Sequence, residues 1–233
     1  MNEEFYDKVN ENLRKSWEVH RQAFGPIIEP AFKEDANARI ILINALNHIS
    51  RRESKRGLEL LNSIRDLCSC DEDKAAWSFF VGVAFEMAGS KENSLKWYEE
   101  AGKFHHRFFM PYIKLAKAAH ADGQLEKAKK YYMTGIQYLK EMPEKDVDGI
   151  FFGSSYANFA CCLAQAGEYE NARLAFEEAI KYPLIPDAYA TGAIIYAALG
   201  DRQKSEYYLG KLNEQSPEAA KAVSDEITRL FGE

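Results

Sequence analysis

The sequence predicts an all-α chain, a solenoid of antiparallel helix pairs closed by a single capping helix at each end. Three observations predict it. Glycine recurs at Gly89, Gly123, Gly167 and Gly200, at spacings of 34, 44 and 33 residues. Side chains of the same size return at fixed distances around each of these glycines. Both ends of the chain carry one amphipathic stripe, which is what an array needs to cover its terminal apolar faces.

The stretch 153–186 shows the repeating unit best. At helical period it reads as two short amphipathic helices joined by Ala166-Gly167-Glu168. Neither helix can bury its apolar face alone, so the unit requires copies stacked beside it. Five residues after each glycine stands a small side chain: Ser94, Ala128, Ala172 and Ser205. Nine after stands a large one: Tyr98, Tyr132, Phe176 and Leu209. Seven before, the residue is again small: Gly82, Ala116, Ala160 and Ala193. Small residues let paired helices approach, large ones fill the space beside them, and glycine takes the backbone angles of the turn. Periods of this length indicate arrays.

Taken in order, residues 1–34 form an N-terminal amphipathic helix and linker. Phe5, Val9, Leu13, Trp17, His20 and Phe24 make one stripe, and Gly25-Pro26 is expected to stop the helix. Residues 35–74 read as a degenerate helix pair without a glycine turn. Four repeats follow at 75–108, 109–142, 153–185 and 186–217, with an insert at 143–152 expected either to lengthen a helix end or to protrude as a loop. Residues 218–233 form the C-terminal capping helix, with Ser216 as N-cap, Pro217 at the first helical position and Val223, Ile227 and Phe231 as its stripe.

In this register the residues resemble the tetratricopeptide repeat, whose 34-residue pattern places an aromatic or large residue, Leu-Gly after two more, a tyrosine, then A-x3-F and a proline near the end. The third repeat matches through Tyr156, Phe159-Ala160, Leu163, Ala172, Phe176 and Ala179, closed by Pro183 and Pro186. The second matches through Tyr112, Leu115-Ala116, Ala119, Ala128 and Tyr132. The first matches through Val81-Gly82, Phe85, Ser94 and Tyr98, and the fourth through Tyr189, Gly192-Ala193, Tyr196 and Ser205. Leu209 and Leu212 depart from the pattern in the last repeat. The resemblance covers 75–217, and more loosely 38–71. It implies a right-handed superhelical array of helix pairs that binds proteins and has no catalytic activity.

Composition narrows the functional classes. The 233 residues carry 30 Lys and Arg against 36 Asp and Glu, a net charge of -6, and no long basic run. That weighs against binding a phosphate backbone, whose usual footprint is a basic face. Paired aromatics such as Tyr131-Tyr132 and Tyr207-Tyr208 resemble a base-stacking surface, but they recur at repeat positions and read as packing. No apolar run approaches the roughly 20 residues of a membrane span. The polar N-terminus lacks the pattern of a secretory signal, so the expected location is cytoplasmic, with no nucleic-acid and no membrane partner.

No catalytic motif, cofactor motif or metal site stands out, and the chain is expected not to be an enzyme. Cys68, Cys70, Cys161 and Cys162 lack zinc-ligand spacing. His105-His106 point about 100° apart on a helix and read as a packed junction. A metal- or small-ligand-binding protein remains an alternative on those histidines and cysteines.

In the tetratricopeptide family the first helices of successive repeats line a groove for a peptide or helix. The family's groove positions, carried over residue by residue, include Phe79, Val83 and Met87 in the first repeat and Met110, Ile113, Lys117 and His120 in the second. Asn158, Cys161 and Gln165 follow in the third, and Ile194 in the fourth. Phe79, Val83, Met87, Met110 and Ile113 would form a continuous apolar patch suited to an apolar peptide or amphipathic helix. Some members clamp a chaperone's terminal carboxylate with several Lys, Asn and Arg residues. Here only Lys114, Lys117 and Asn158 compare, so that role is not expected. Two alternatives stay open: the chain's own N-terminal helix fills the groove, or the chain self-associates as a homodimer.

Overall fold

The computed structural model describes residues 11–105, 108–142 and 149–232. Among the described residues the regular structure is helical throughout. The α-helices are α1 (Glu11–Ile28), α2 (Ala36–Ser50), α3 (Ser54–Ser63), α4 (Asp71–Met87), α5 (Lys91–Phe104) and α6 (Phe109–Ala121). They continue with α7 (Leu125–Glu141), α8 (Gly149–Gln165), α9 (Tyr169–Ala179), α10 (Pro186–Ala198), α11 (Arg202–Gln215) and α12 (Pro217–Phe231). A short 3-10 turn, Arg65–Leu67, precedes α4. Helices α2 and α3, α4 and α5, α8 and α9, and α10 and α11 pack as adjacent pairs. The contacts divide the chain into two compact units, Met1–Leu115 with Gln137–Val147, and Ala116–Ile136 with Asp148–Glu233.

The four register glycines occupy identical turns. Gly89, Gly123, Gly167 and Gly200 all lie in the left-handed region, with φ between 70° and 77°. At each, the glycine N–H and the N–H after it return to the preceding helix, as in Gly167 N to Ala164 O at 3.0 Å and Glu168 N to Leu163 O at 2.9 Å. This is the Schellman closure of a helix end, which a residue bearing Cβ makes only under strain. The small-against-large pattern is also physical. A Cβ added to Gly82 would lie 2.7 Å from Tyr98 Cε1, so the glycine is what allows the fully buried Tyr98 ring to sit between α4 and α5.

In the first unit, the N-terminal helix does not stop at Gly25-Pro26. Phe24 leaves helical geometry (φ −138°, ψ 18°) and the helix resumes to Ile28. Proline has no N–H to complete the hydrogen-bond ladder but fits the first turn of a new segment, so a kink replaces the expected stop. Phe5 and Val9 of the predicted stripe lie outside the described residues. Trp17 is buried under the Arg39 guanidinium, 5.3 Å from the ring centroid. Arg39 donates to Ala31 O and Glu29 O, tying down the segment after α1. His20 sits 3.0 Å from Asn47 Oδ1, and burial holds its pKa below the usual value.

The segment closes on Asp73. Phe32 has φ 50°, a costly conformation for a bulky side chain. Its N–H donates to the buried Asp73 carboxylate at 2.6 Å, and the same carboxylate accepts from Ser69 N at 3.0 Å and Ser69 Oγ at 2.9 Å. One acidic side chain in the first turn of α4 therefore holds both the loop before that helix and the chain leading into α2.

In the second unit, Ala160, Leu163, Phe176, Tyr196, Tyr208 and Ile227 belong to one buried cluster. Tyr208, not Leu209, fills the interior of the last pair. It stacks on Tyr196 at 5.6 Å and meets Phe176 edge-on at 5.0 Å, while Leu209 is only half-buried. The part of the insert that is described lengthens a helix: α8 begins at Gly149, and Phe152 stacks on Tyr182 at 4.9 Å. Gly153 is needed there, since a Cβ would meet Pro183 O at 2.5 Å. The last helix, α12, starts from the Ser216 cap and Pro217 and lays Val223, Ile227 and Phe231 against the cluster. No helix in the described residues is long and apolar enough to cross a membrane.

Candidate functional site

The groove positions expected from the sequence divide into two sets with different environments. The first set belongs to the first unit and does not form an open apolar patch. Phe79 is 0% exposed and Met110 is 7% exposed, while Val83 and Ile113 are half-buried. Only Met87 is exposed among the five. The cover comes from the chain itself. The Phe24 ring stands edge-on to Phe80 at 5.3 Å and to Phe79 at 6.3 Å, and Phe108 lies 5.4 Å from Phe79 on another side. Tyr98 completes the enclosure at 5.4 Å. Phe79 is therefore a core side chain, because the kink at Phe24 turns an aromatic ring onto the surface where a ligand was expected, and Met110 is buried as well.

Polar chemistry surrounds that core. Tyr98 Oη donates to Glu86, and Lys114 Nζ reaches the same carboxylate at 2.9 Å. Burial and the neighbouring Glu86 carboxylate push the Tyr98 phenol well above the usual tyrosine range. Lys114 is thus engaged within its own unit, which removes one of the three side chains comparable to a carboxylate clamp. His105 lines a small cavity of about 70 Å³ with Ile27, Ala75, Ala76 and Phe108. His106 lies outside the described residues.

The second set keeps contact with solvent. Lys117 and Gln165 are exposed, and His120, Asn158, Cys161 and Ile194 are half-buried. They come from the end of α6, from α8 and from α10. Asn158, Cys161 and Gln165 fall at i, i+3 and i+7, so one face of α8 carries all three. Gln165 Nε2 lies 3.8 Å from Cys161 Sγ and Asn158 donates to Ser154 O at 2.6 Å, which orients both amides. Cys161 also engages Thr191 of α10, linking the two helices. His120 meets the buried Tyr132 ring edge-on at 6.3 Å.

The thiols are built as packing groups. Burial pushes Cys162 up to about 11 and raises Cys161 as well, and burial with the Asp73 charge takes Cys68 to about 11. A thiol with a raised pKa holds little thiolate, the form that attacks or ligates. Among the described residues, no group of three or more His, Cys, Asp and Glu side chains is placed to hold a metal ion.

These helix–turn–helix units, each closed by a left-handed glycine and packed through a small residue against a large ring, define an all-α helical-repeat protein. The family model for the tetratricopeptide repeat matches residues 111–138 and 153–183. Solved structures share the fold. Pseudomonas aeruginosa pilF covers 93% of this chain and 100% of its own, at 14% identity and a TM-score of 0.68. YrrB, described as a TPR protein with an unusual peptide-binding site, covers 87% of this chain and 98% of its own, at 21% identity and a TM-score of 0.59. MamA of AMB-1 covers 79% and 94%, at 12% identity and a TM-score of 0.56. No curated protein sequence matches the chain significantly.

The sequence left two readings open for the first unit, a groove for a partner and a groove filled by the N-terminal helix, and did not say which rings would meet Phe79. Their apolar character was legible, but the kink that aims Phe24 and the close of α5 that aims Phe108 are long-range outcomes. The i, i+3, i+7 alignment of Asn158, Cys161 and Gln165 was available from the sequence and identifies the open face of α8.

Proposed function

We propose that the chain is a non-catalytic protein-interaction scaffold that takes a segment of a protein partner on the second unit, across the end of α6, α8 and α10. The observation that carries this reading is the contrast in burial. The six groove positions named for the second unit are all open or half-open, whereas in the first unit Phe79 and Met110, the centre of the expected patch, are sealed and only Val83, Ile113 and Met87 keep contact with solvent. The match of residues 111–138 and 153–183 to the tetratricopeptide-repeat model and the peptide-binding description of YrrB support the same class of function.

The face suits an apolar peptide or helix read with polar checks. Ile194 and the small side chains around it offer apolar contact, while Gln165 and Asn158 offer amides that pair with a partner's backbone or polar side chains. In the first unit the groove is self-occupied: the contacts of Phe24 with Phe79 and Phe80 fill the place a ligand would take.

Affinity capture with the wild-type chain and the double variant Lys117→Glu, Gln165→Glu tests this. Both positions are exposed, so the variant should melt like the wild type. Its recovery of the partners that wild type captures should fall about tenfold or more, since a charge is placed inside the contact. Undiminished recovery would reject the second-unit face.

A further inference from the structure

The second unit carries another cleft, distinct from the face described above. It has a volume of about 580 Å³, with α7 and α9 as its walls and Tyr156, Phe159 and Leu163 of α8 as its floor. Residues two apart on an α-helix point about 200° apart. The floor residues therefore turn one way, and Asn158, Cys161 and Gln165 turn the other. Met133 on α7 and Leu174 on α9 form the apolar lips, 61% and 54% exposed.

The walls differ in charge. On the α7 side stand Glu126, Lys129 and Lys130, and on the α9 side Glu168 and Glu178. Lys129 Nζ lies 2.5 Å from both Glu126 and Glu168, which fixes it as a strut. Glu178 holds Lys181 at 2.6 Å. Lys130 makes no ion pair among the described residues and is exposed. With Lys129 engaged by Glu126 and Glu168, a ligand on this cleft meets an apolar floor, the Lys130 cation on one side and, on the other, the Glu178 carboxylate, which a basic ligand group can share with or take over from Lys181.

The backbone narrows the choice of ligand. All three walls are helices, whose interior N–H and C=O groups are already paired, so an extended strand finds no ladder to join. The Asn171 amide, which also lines the cleft, already donates to Glu168 at 3.0 Å. A helix brings its own backbone satisfied and needs only side-chain contacts. We infer that this cleft docks an amphipathic helix of a protein partner. Its apolar stripe enters between Met133 and Leu174, its acidic flank faces Lys130 and its basic flank faces Glu178. The cleft lies within the size range of sites that enclose several side chains.

The test uses the full chain and three labelled synthetic peptides read by fluorescence anisotropy. All share one leucine stripe at i, i+4 and i+7. The first carries glutamates on one flank and lysines on the other, the second glutamates on both, and the third lysines on both. The mixed peptide should bind about tenfold tighter than either single-sign peptide, because each of those sets like charges against one wall. Met133→Glu and Leu174→Glu should each weaken it about tenfold or more, with unchanged melting because both side chains are exposed. Lys130→Glu should move the preference to the all-lysine peptide. No binding of the mixed peptide, equal affinity for all three, or binding indifferent to Met133→Glu and Leu174→Glu would overturn the proposal. So would a homodimer of the unliganded chain that Met133→Glu dissolves. Binding lost only in the Lys117→Glu, Gln165→Glu variant would also overturn it while leaving the function proposed above intact.

Discussion

Phe79→Ala will destabilise the first unit by about 3–5 kcal/mol, the range for truncating a fully buried aromatic ring. The side chain is 0% exposed and sits among the rings of Phe24, Phe80, Tyr98 and Phe108, all within 6.3 Å between centroids. None of these four neighbours can collapse into the space without giving up its own contacts, so the cavity persists. Met110→Glu belongs to the same prediction, because it places a carboxylate at a position only 7% exposed, and burying an unpaired charge costs several kcal/mol. Met87→Glu is the control: Met87 is 41% exposed and its change should stay within about 0.5 kcal/mol. Urea titration followed by far-ultraviolet circular dichroism measures all three. If Phe79→Ala and Met110→Glu unfold at the same midpoint as Met87→Glu, the first unit's groove is open and its self-occupied reading fails.

Asp73→Ala is the second large effect. It removes the acceptor of Phe32 N and of Ser69 N and Oγ. The buried Phe32 N–H then goes unsatisfied, at about 1–3 kcal/mol, the two bonds from the exposed Ser69 are lost to water, and Phe32 is left at φ 50° with nothing holding it. The loss should appear first as faster amide exchange in the segment between α1 and α2. A pH signature accompanies it. Burial alone would raise the Asp73 pKa, but hydrogen bonds from Phe32, Ser69 and Cys70 outweigh it and hold the pKa below its ordinary value of 3.8. As pH falls, the unfolded chain takes up this proton first. The stabilisation is therefore complete above about pH 3.8 and drains away as pH drops through the lower folded-state value. Asp73→Asn should flatten that acid limb. An unchanged acid limb would mean that the carboxylate does not hold the segment.

Much of the fold was legible because the repeats are governed by local rules. A glycine is favoured where φ reaches 70° or more, and the sequence has one at each of the four turns. A missing Cβ is required where Tyr98 crosses α4, and Gly82 supplies it. The capping helix declares itself through Ser216, Pro217 and a stripe at helical period. What stayed hidden depends on which distant residue arrives. The apolar positions Phe79 and Met110 match a ligand groove in pattern, and nothing local distinguishes a groove from a core covered by Phe24. Tyr208 and Leu209 are adjacent and both apolar enough to fill the last pair; the stack on Tyr196 selects the tyrosine. The cleft between α7 and α9 was equally hidden, since Met133 and Leu174 read as ordinary positions on two separate helices.

Amide hydrogen exchange of the chain alone and bound to a captured partner tests the central claim most directly. New protection is expected in the second unit, on α8 around Asn158–Gln165 and on α10 around Ile194, with α4 around Phe79 unchanged because it is already buried. Protection confined to α4 and the start of α6, with α8 and α10 exchanging as in the free chain, would contradict it.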